Sequence, residues 1–248
     1  MEPEKVNKIA RYIRHIEINN FGEAGQFKVQ KSRIAIVGAG GLGCPVVTYL
    51  AAAGVGAIKI IDADTIDISN LQRQFLYRPS DTGQLKAAVA LEKMTDFNPD
   101  IQVEASNERL NVQNIDRMLS DFELIVDCSD NFETRYLLNR FAIENGKTLV
   151  SGAVSTTNGQ LFTFKRGHPC YECLFPPLPE NSQAPSCTEA PVLGSVVGTI
   201  GLMMVTEIMK EITGIGKSLA GSFISLSAAD TSTKKIAFNK HPDCKICN

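Results

Sequence analysis

The sequence lacks a strong net charge and an apolar N-terminal segment. Its formal net charge is −2, so the charge balance gives no reason to expect nucleic acid or a membrane surface as a partner. The N-terminal stretch MEPEKVNKIARYIR alternates charged residues with single apolar ones, whereas a secretory signal contains a continuous apolar stretch of about 7–15 residues. We therefore expect a cytoplasmic protein.

Long uncharged runs are also scarce, and turn-forming residues interrupt them. The run between Arg33 and Lys59 is long enough to span a bilayer, but four glycines and Pro45 divide it into a strand, a turn and a helix. A second run, from Ala190 to Thr206, has a proline near its start and is typical of a buried helix. Neither run predicts a membrane span, so we expect no membrane partner.

The order of apolar runs predicts an α/β fold with a mostly parallel sheet and crossover helices. A helical segment is predicted at 5–31. The predicted parallel strands are 33–38, 59–64, 101–105, 123–127 and 148–152. Antiparallel strands are predicted at 159–165, 221–227 and 234–238, with one long helix at about 192–212.

We find no internal repeat and no linker, so we predict one domain over 1–248. It would contain an N-terminal helical part at 1–31, a nucleotide-binding half at 32–155 and an antiparallel half at 156–248. The last of these includes the segment 174–191, which holds five prolines and is too long for a plain connection. We therefore expect a functional loop there.

Two Cys-x-x-Cys pairs lie far apart in the chain. The sequence has seven cysteines and no secretory signal, so we expect reduced thiols rather than disulfides. No strand–CxxC–helix pattern surrounds either pair, which argues against a redox dithiol. Four thiolates are what a closed tetrahedral zinc site requires, so we predict structural zinc at Cys170, Cys173, Cys244 and Cys247.

A glycine loop follows the first predicted strand. GAGGLG, at 38–43, matches G-x-G-x-x-G between a strand and a helix, a context that favours phosphate binding at the helix N-terminus. Asp62 follows the loop by about 20 residues, where a carboxylate commonly binds a ribose hydroxyl. The loop does not identify the nucleotide, and NAD or FAD are common occupants of such a loop.

Polar residues after the second and fourth strands favour phosphate chemistry over hydride transfer. Ser69, Asn70, Gln72 and Arg73 lie in the run SNLQRQ, Lys86 follows, and Asp127 and Asp130 come after the fourth predicted strand. Cations and carboxylates above one sheet edge suit a triphosphate with Mg²⁺, for which Asp130 is the expected ligand. Taken singly, Arg73 and Lys86 also suit surface positions, and Asp130 also suits a helix N-cap.

Together these motifs resemble the MoeB/ThiF family, the bacterial relatives of ubiquitin-activating enzymes. The resemblance is carried by GAGGLG, Asp62, SNLQRQ at 69–74, Lys86, DCSDN at 127–131 and the two Cys-x-x-Cys pairs. It implies a Rossmann-like sheet with an antiparallel extension. It also implies a homodimer that uses ATP and Mg²⁺ to adenylate the C-terminal Gly-Gly carboxylate of a small ubiquitin-like sulfur carrier.

The resemblance also implies residue roles. Nucleotide-binding positions are expected at Gly38, Gly40, Gly41, Gly43, Asp62, Ser69, Asn70, Leu71, Gln72, Arg73, Lys86, Asp130 and Asn131. Arg14 matches the family arginine that reaches the partner subunit's ATP, although it also suits an exposed helix position. Cys187 matches a position that links covalently to the carrier in some members and is dispensable in others, so a catalytic thiol and a bystander both remain open.

Several alternatives remain open from the sequence. No sulfurtransferase domain follows the last cysteine pair, so we expect a separate sulfur donor. In one alternative, the protein adenylates a peptide or a small carboxylic acid instead of a carrier protein. In another, it is an NAD-dependent oxidoreductase. A third is a binding module without turnover, against which Arg73, Lys86 and Asp130 argue. The sequence does not separate molybdopterin from thiamine or another sulfur pathway.

Overall fold

The computed structural model describes residues 3–177 and 191–248, with side chains from Ala10 onward. The predicted proline-rich loop and Cys187 therefore lie largely outside the described residues.

An eight-stranded sheet runs through the described part of the chain, with the order β3-β2-β1-β4-β5-β6-β7-β8. The pairs from β3 to β5 are parallel, and those from β5 to β8 are antiparallel. The strands are β1 (Arg33–Val37), β2 (Ala57–Ile61), β3 (Gln102–Ser106), β4 (Leu124–Asp127), β5 (Thr148–Ser155), β6 (Asn158–Phe164), β7 (Ser222–Ser227) and β8 (Ser232–Ala237). This arrangement confirms the predicted fold class.

Eight α-helices connect or flank these strands within the described residues. They are α1 (Pro3–Ile16), α2 (Gly22–Lys31), α3 (Gly43–Ala53), α4 (Lys86–Phe97), α5 (Ile115–Leu119), α6 (Phe132–Glu144), α7 (Tyr171–Leu174) and α8 (Gly194–Thr213). None of the helices in this described part is long and apolar enough to cross a membrane.

Two predicted boundaries were wrong. The helical segment at 5–31 is two helices, because the backbone between them turns through positive φ values at Asn20 (68°) and Gly22 (57°). Positive φ is incompatible with a continuing right-handed helix. The second strand ends at Ile61 rather than at residue 64, so Asp62 stands just beyond the sheet edge.

Both faces of the parallel part are covered by helices. Successive side chains of a strand point to opposite faces, and in β1 Ile34 and Ile36 pack in the cluster that includes α3, α4 and α8. Ala35 and Val37 pack on the other face with residues of α5 and α6. This explains the unbroken apolar run in β1, since a strand buried on both faces needs no polar alternation.

The buried amide of Asn98 joins three helices behind the sheet edge. Its Nδ2 donates to the Tyr12 hydroxyl at 2.9 Å and to the Ala51 carbonyl at 2.7 Å. Tyr12 belongs to α1 and Ala51 to α3, while Asn98 ends α4. The amide thus fixes how these helices approach one another.

We expect Asn98→Ala to lower the free energy of unfolding by about 1–3 kcal/mol, because it removes the buried hydrogen bonds from Asn98 to the Tyr12 hydroxyl and the Ala51 carbonyl. Guanidinium unfolding followed by circular dichroism measures this. Asn107→Ala, at an exposed loop position, is the matched control and should change stability by less than about 0.5 kcal/mol. Equal effects of the two substitutions would contradict the prediction.

Candidate active site

The glycine loop between β1 and α3 leaves no room for side chains at two of its positions. A Cβ atom on Gly38, whose φ is +98°, would lie 2.7 Å from the carbonyl oxygen of Cys128. A Cβ on Gly43 would lie 2.1 Å from the carbonyl oxygen of Gly38. Glycine therefore lets the loop pack against the β4 end and turn at once into the first turn of α3.

A cavity of about 870 Å³ opens at the carboxyl edge of the parallel strands. One part, here called the nucleotide end, is lined by predicted site residues: Gly38, Gly40, Gly41, Asp62, Arg73, Lys86, Asp130 and Asn131. The other part, here called the groove, is lined along β5, β6 and β7 by Ala153, Val154, Ser155, Asn158, Gly159, Gln160 and Ser225. Residues that are far apart in sequence thus share one concave surface.

Five predicted nucleotide-binding residues do not line this cavity in the described structure. Gly43 packs beneath the loop, and Leu71 packs against a small apolar cluster with Tyr77. Ser69 donates its hydroxyl to Asp67 at 2.6 Å. Gln72 lies beside Gly194 at the start of α8. Asn70 lines a shallower depression that shares Arg73, Lys86 and Asp130 with the cavity.

Asp62 is held against the glycine loop. Its Oδ2 accepts a hydrogen bond from the backbone N–H of Ala39 at 2.7 Å, and its Oδ1 accepts one from Asp64 at 2.8 Å. Burial raises the pKa of Asp62, while the charge of Lys86 and these backbone donors oppose the rise. The carboxylate is therefore oriented before any ligand arrives.

Lys86 is a buried cation and not a solvated helix residue. It is the first residue of α4, and its Nζ lies 3.3 Å from Oδ2 of Asp64. Desolvating an ammonium group is costly unless it is paired. The ion pair with the exposed Asp64 therefore holds the Lys86 charge at the wall of the nucleotide end.

Two aspartates at the end of β4 and in the loop after it have different surroundings: Asp127 is buried and Asp130 is exposed. Asp127 is buried, and its oxygens accept hydrogen bonds from Ser129 N at 3.0 Å, Ser129 Oγ at 2.6 Å and Ser151 Oγ at 2.6 Å. Asn131, not Asp130, caps α6, by accepting from Thr134 N at 2.9 Å. The N-cap interpretation of Asp130 is thus wrong, and its exposed carboxylate faces the cavity.

Sequence reasoning missed several polar residues in the cavity wall, among them Gln74 and Arg135. Gln74 is 4% exposed, and its buried Oε1 has no hydrogen-bond partner among the described residues. It closes the SNLQRQ run, and that position was the available signal. Arg135 also lines the cavity, but nothing in its local sequence distinguishes it from other helix arginines.

The four predicted metal ligands come together beside α7. The Sγ distances are 4.0 Å for Cys170–Cys173, 3.6 Å for Cys170–Cys244, 3.4 Å for Cys173–Cys247 and 3.6 Å for Cys244–Cys247. Four sulfurs placed tetrahedrally about 2.3 Å from a zinc ion are about 3.8 Å apart. The cluster therefore has the size and donor set for a closed tetrahedral metal site.

Arg14 points into solvent in the isolated chain. Its side chain is 89% exposed and pairs with Glu17 at 3.0 Å, an arrangement that contributes little to stability. The proposed contact between Arg14 and the ATP of a partner subunit stays a prediction.

Comparison with known proteins identifies the family of this chain. The model of the ThiF family matches residues 12–246. The chain belongs to the ThiF family. The resemblance predicted from the motifs is therefore confirmed. In this ThiF-family chain the glycine loop, Asp62, Arg73, Lys86 and Asp130 meet at the nucleotide end, while the two Cys-x-x-Cys pairs form a separate cluster.

Characterised relatives cover almost the whole ThiF-family chain. It is 40% identical over 246 residues to a sulfur carrier protein adenylyltransferase of Thermus thermophilus, covering 97% of this chain and 91% of that protein. It is 40% identical over 240 residues to the SAMP-activating enzyme E1 of Haloferax volcanii, covering 97% and 89%. It is 38% identical over 253 residues to the adenylyltransferase and sulfurtransferase uba4 of Emericella nidulans, but spans only 52% of that protein.

Solved structures share the fold. The microcin C7 biosynthetic enzyme MccB in complex with N-formylated MccA superposes with a TM-score of 0.86 at 20% identity, covering 99% of this chain and 77% of that one. PaaA gives 0.80 at 20% identity, covering 97% and 76%. At these identities the likeness shows the ThiF-type fold alone.

Cys44 and Cys128, beneath the glycine loop, should be unreactive. Both are buried, and burial raises the pKa of Cys44 to about 12 and that of Cys128 well above its usual range. Only the thiolate is nucleophilic, so at pH 8 both should stay unlabelled by iodoacetamide. Mass spectrometry of the peptides checks this, with urea-unfolded protein as the control in which both react. Fast labelling of either thiol in the native protein would contradict it.

Proposed function

We propose that this protein is an ATP-dependent adenylyltransferase that activates the C-terminal Gly-Gly carboxylate of a small ubiquitin-like sulfur carrier. The observation that carries the proposal is the convergence of Arg73, Lys86 and Asp130 on the glycine loop in one cavity. The family and the names of relatives at 40% identity support the reaction and the carrier class.

Each end of the cavity suits one reactant. The glycine loop and the N-terminus of α3 offer backbone N–H groups to phosphate oxygens, and Asp62 is placed for the ribose. Arg73 and Lys86 supply positive charge for the phosphates. Asp130 would hold Mg²⁺, which supplies further neutralisation of phosphate charge when bound.

The reaction joins two anions, and that fact decides what the protein must supply. Two like charges about 4 Å apart repel by about 4 kcal/mol at an effective dielectric constant of 20. The carboxylate attacks the α-phosphorus, pyrophosphate leaves, and an acyl-adenylate remains. Positioning and charge screening by fixed groups are therefore the main contributions we assign to this chain.

The groove suits a narrow peptide tail better than a nicotinamide. It is bordered by small or uncharged residues such as Ala153, Ser155 and Gly159, and it leads directly to the nucleotide end. An oxidoreductase has no need for two cations and an exposed carboxylate around the phosphates. The carboxylate therefore arrives, in this proposal, as the end of an extended chain.

The remaining features of the proposal concern assembly and pathway. We propose that residues 1–248 act as a single adenylation domain within a homodimer, with Arg14 reaching the partner subunit's ATP. Sulfur would come from a separate donor, in keeping with the two relatives covered over about nine tenths of their length, neither of which is named a sulfurtransferase.

The reaction is tested by ATP–pyrophosphate exchange with a panel of ubiquitin-like carriers that end in Gly-Gly, including one from Thermus thermophilus. We expect carrier-dependent exchange, and Asp130→Asn should lower it by about 100-fold or more, because phosphate charge is then left unscreened. Asp121→Asn removes an exposed carboxylate outside the cavity and should change exchange by less than about twofold.

Binding of NAD with no exchange would reject this function. Exchange that requires a small carboxylic acid, and that no carrier supports, would reject the carrier as substrate while leaving the adenylation chemistry intact.

We further propose that the Cys170–Cys173–Cys244–Cys247 cluster binds structural zinc, and that the protein works in the reducing cytoplasm. Thiolate ligands at these separations fit zinc, and such a cluster persists only where thiols are not oxidised. With four protein ligands, the metal would have no open position for a substrate. It would join the C-terminal segment to the start of α7.

We expect one zinc per chain by elemental analysis. Cys173→Ser should lower zinc content and the unfolding temperature, since metal binding contributes to folding free energy. Cys44→Ala, which removes a buried thiol outside the cluster, is the control and should keep full zinc content. Unchanged zinc content in Cys173→Ser would rule out the cluster as the metal site.

A further inference from the structure

Arg135 stands at the junction of the nucleotide end and the groove. It lies on α6, and its Nη2 donates to the carbonyl oxygens of Ser129 at 2.9 Å and Gly152 at 3.1 Å. Ser129 directly precedes Asp130, and Gly152 directly precedes the first groove residue, Ala153. The two carbonyls therefore fix the guanidinium between the loop of the proposed Mg²⁺ ligand and the strand that borders the groove.

The charge of Arg135 is not neutralised by a carboxylate. Among the described residues, no ion pair involves Arg135. Arg140, which lies on the same helix as Arg135, does have a carboxylate partner, Glu172 of α7, at 2.8 Å. Lys86 also has a partner, Asp64. A half-buried, unpaired cation in a cavity wall attracts an anion more strongly than a solvated one does.

The third neighbour of the guanidinium is the hydroxyl of Tyr171, a residue that also lines the cavity. The side chain of Arg135 forms a hydrogen bond with this hydroxyl. The contact helps to orient the guanidinium. The planar fork of an arginine, held in this way, matches a carboxylate in geometry as well as in charge.

We propose that Arg135 binds the C-terminal carboxylate of the incoming carrier and holds it against the α-phosphate. This assignment rests on the proposed function. In the step itself, one carboxylate oxygen forms a bond to the α-phosphorus. The bond from that phosphorus to the bridging oxygen breaks, and pyrophosphate leaves with the electron pair. The step needs no oxidant or reductant.

The test compares two forms of the carrier that supports the most exchange, one with a free C-terminal carboxylate and one with a C-terminal amide. Binding to the full chain is measured by calorimetry with Mg²⁺ and an α,β-methylene analogue of ATP, which cannot transfer AMP. We expect the wild type to bind the carboxylate form about tenfold or more tightly than the amide form. In Arg135→Gln the two forms should bind with equal affinity, at the level of the amide form.

The ratio of the two affinities separates this role from a structural one. Loss of the hydrogen bonds to Ser129 and Gly152 alone would weaken both forms equally and preserve the ratio, which would overturn the assignment. So would a wild type that does not distinguish carboxylate from amide. Arg140→Gln, on the same helix but outside the cavity lining, is the matched control and should keep the ratio.

If Arg135→Gln does not fold, Arg135→Lys is tested in its place, because lysine keeps the charge but lacks the planar fork. The ratio of carboxylate-form to amide-form affinity should then fall. An unchanged ratio in Arg135→Lys would overturn the assignment. An absence of exchange with every carrier in the wild type would instead reject the proposed function, and this assignment with it.

Discussion

The carboxylate of Asp127, the last residue of β4, lies at the point where the parallel strands open into the cavity. It is 1% exposed and accepts three hydrogen bonds, two from Ser129 and one from Ser151 on the neighbouring strand. A buried charge is tolerated only with such complete satisfaction, and loss of a partner would be costly. Because Ser129 and Ser151 immediately precede Asp130 and Gly152, this carboxylate fixes both the exposed acid and the start of the groove.

The electrostatic design of the cavity follows from which charges have partners. Asp127 is fully engaged by donors of the protein itself. Asp62 and Lys86 are each held in place by protein partners and still line the cavity. Among the described residues, no ion pair involves Arg135, and the Asp130 carboxylate accepts a hydrogen bond only from the side chain of Asn131, at 3.5 Å. Asp127 therefore shapes the cavity wall, whereas the other four side chains face the space that a ligand would fill. In the proposed reaction, this division would let one cavity accommodate two anionic reactants.

Much of the fold could be predicted because its signals are local. Short stretches of sequence predict these parts of the structure. They are the β-branched apolar runs, the glycine loop and the two Cys-x-x-Cys pairs. The break at Asn20 and Gly22 was missed, although asparagine and glycine are residues that readily adopt a positive φ. The motif-matched residues Ser69, Leu71 and Gln72 lie outside the cavity lining. A motif alone does not show which of its residues face the cavity.

The site was predicted less completely, because its missing parts depend on distant residues. The burial of Lys86 follows from tertiary packing and is invisible in an amphipathic helix pattern. Arg135 acquires its environment from Gly152 and Tyr171, which the sheet brings together from another part of the chain. Arg14 and Cys187 stay predictions, the first because its partner would be another subunit, the second because it lies outside the described residues.

Tyr171 is bonded covalently to Cys170, and its own backbone N–H is held by the buried Asn139. A member of the thiolate cluster and a neighbour of the cavity arginine are therefore consecutive residues of one short helix turn. If the proposed metal and the proposed carboxylate both bind, the shared turn would couple them, and such coupling acts equally in both directions. A shift of Cys170 on metal binding would be passed through the backbone to Tyr171, and an anion bound at Arg135 would act on the cysteines by the same route. The two sites would then influence each other's occupancy without sharing an atom.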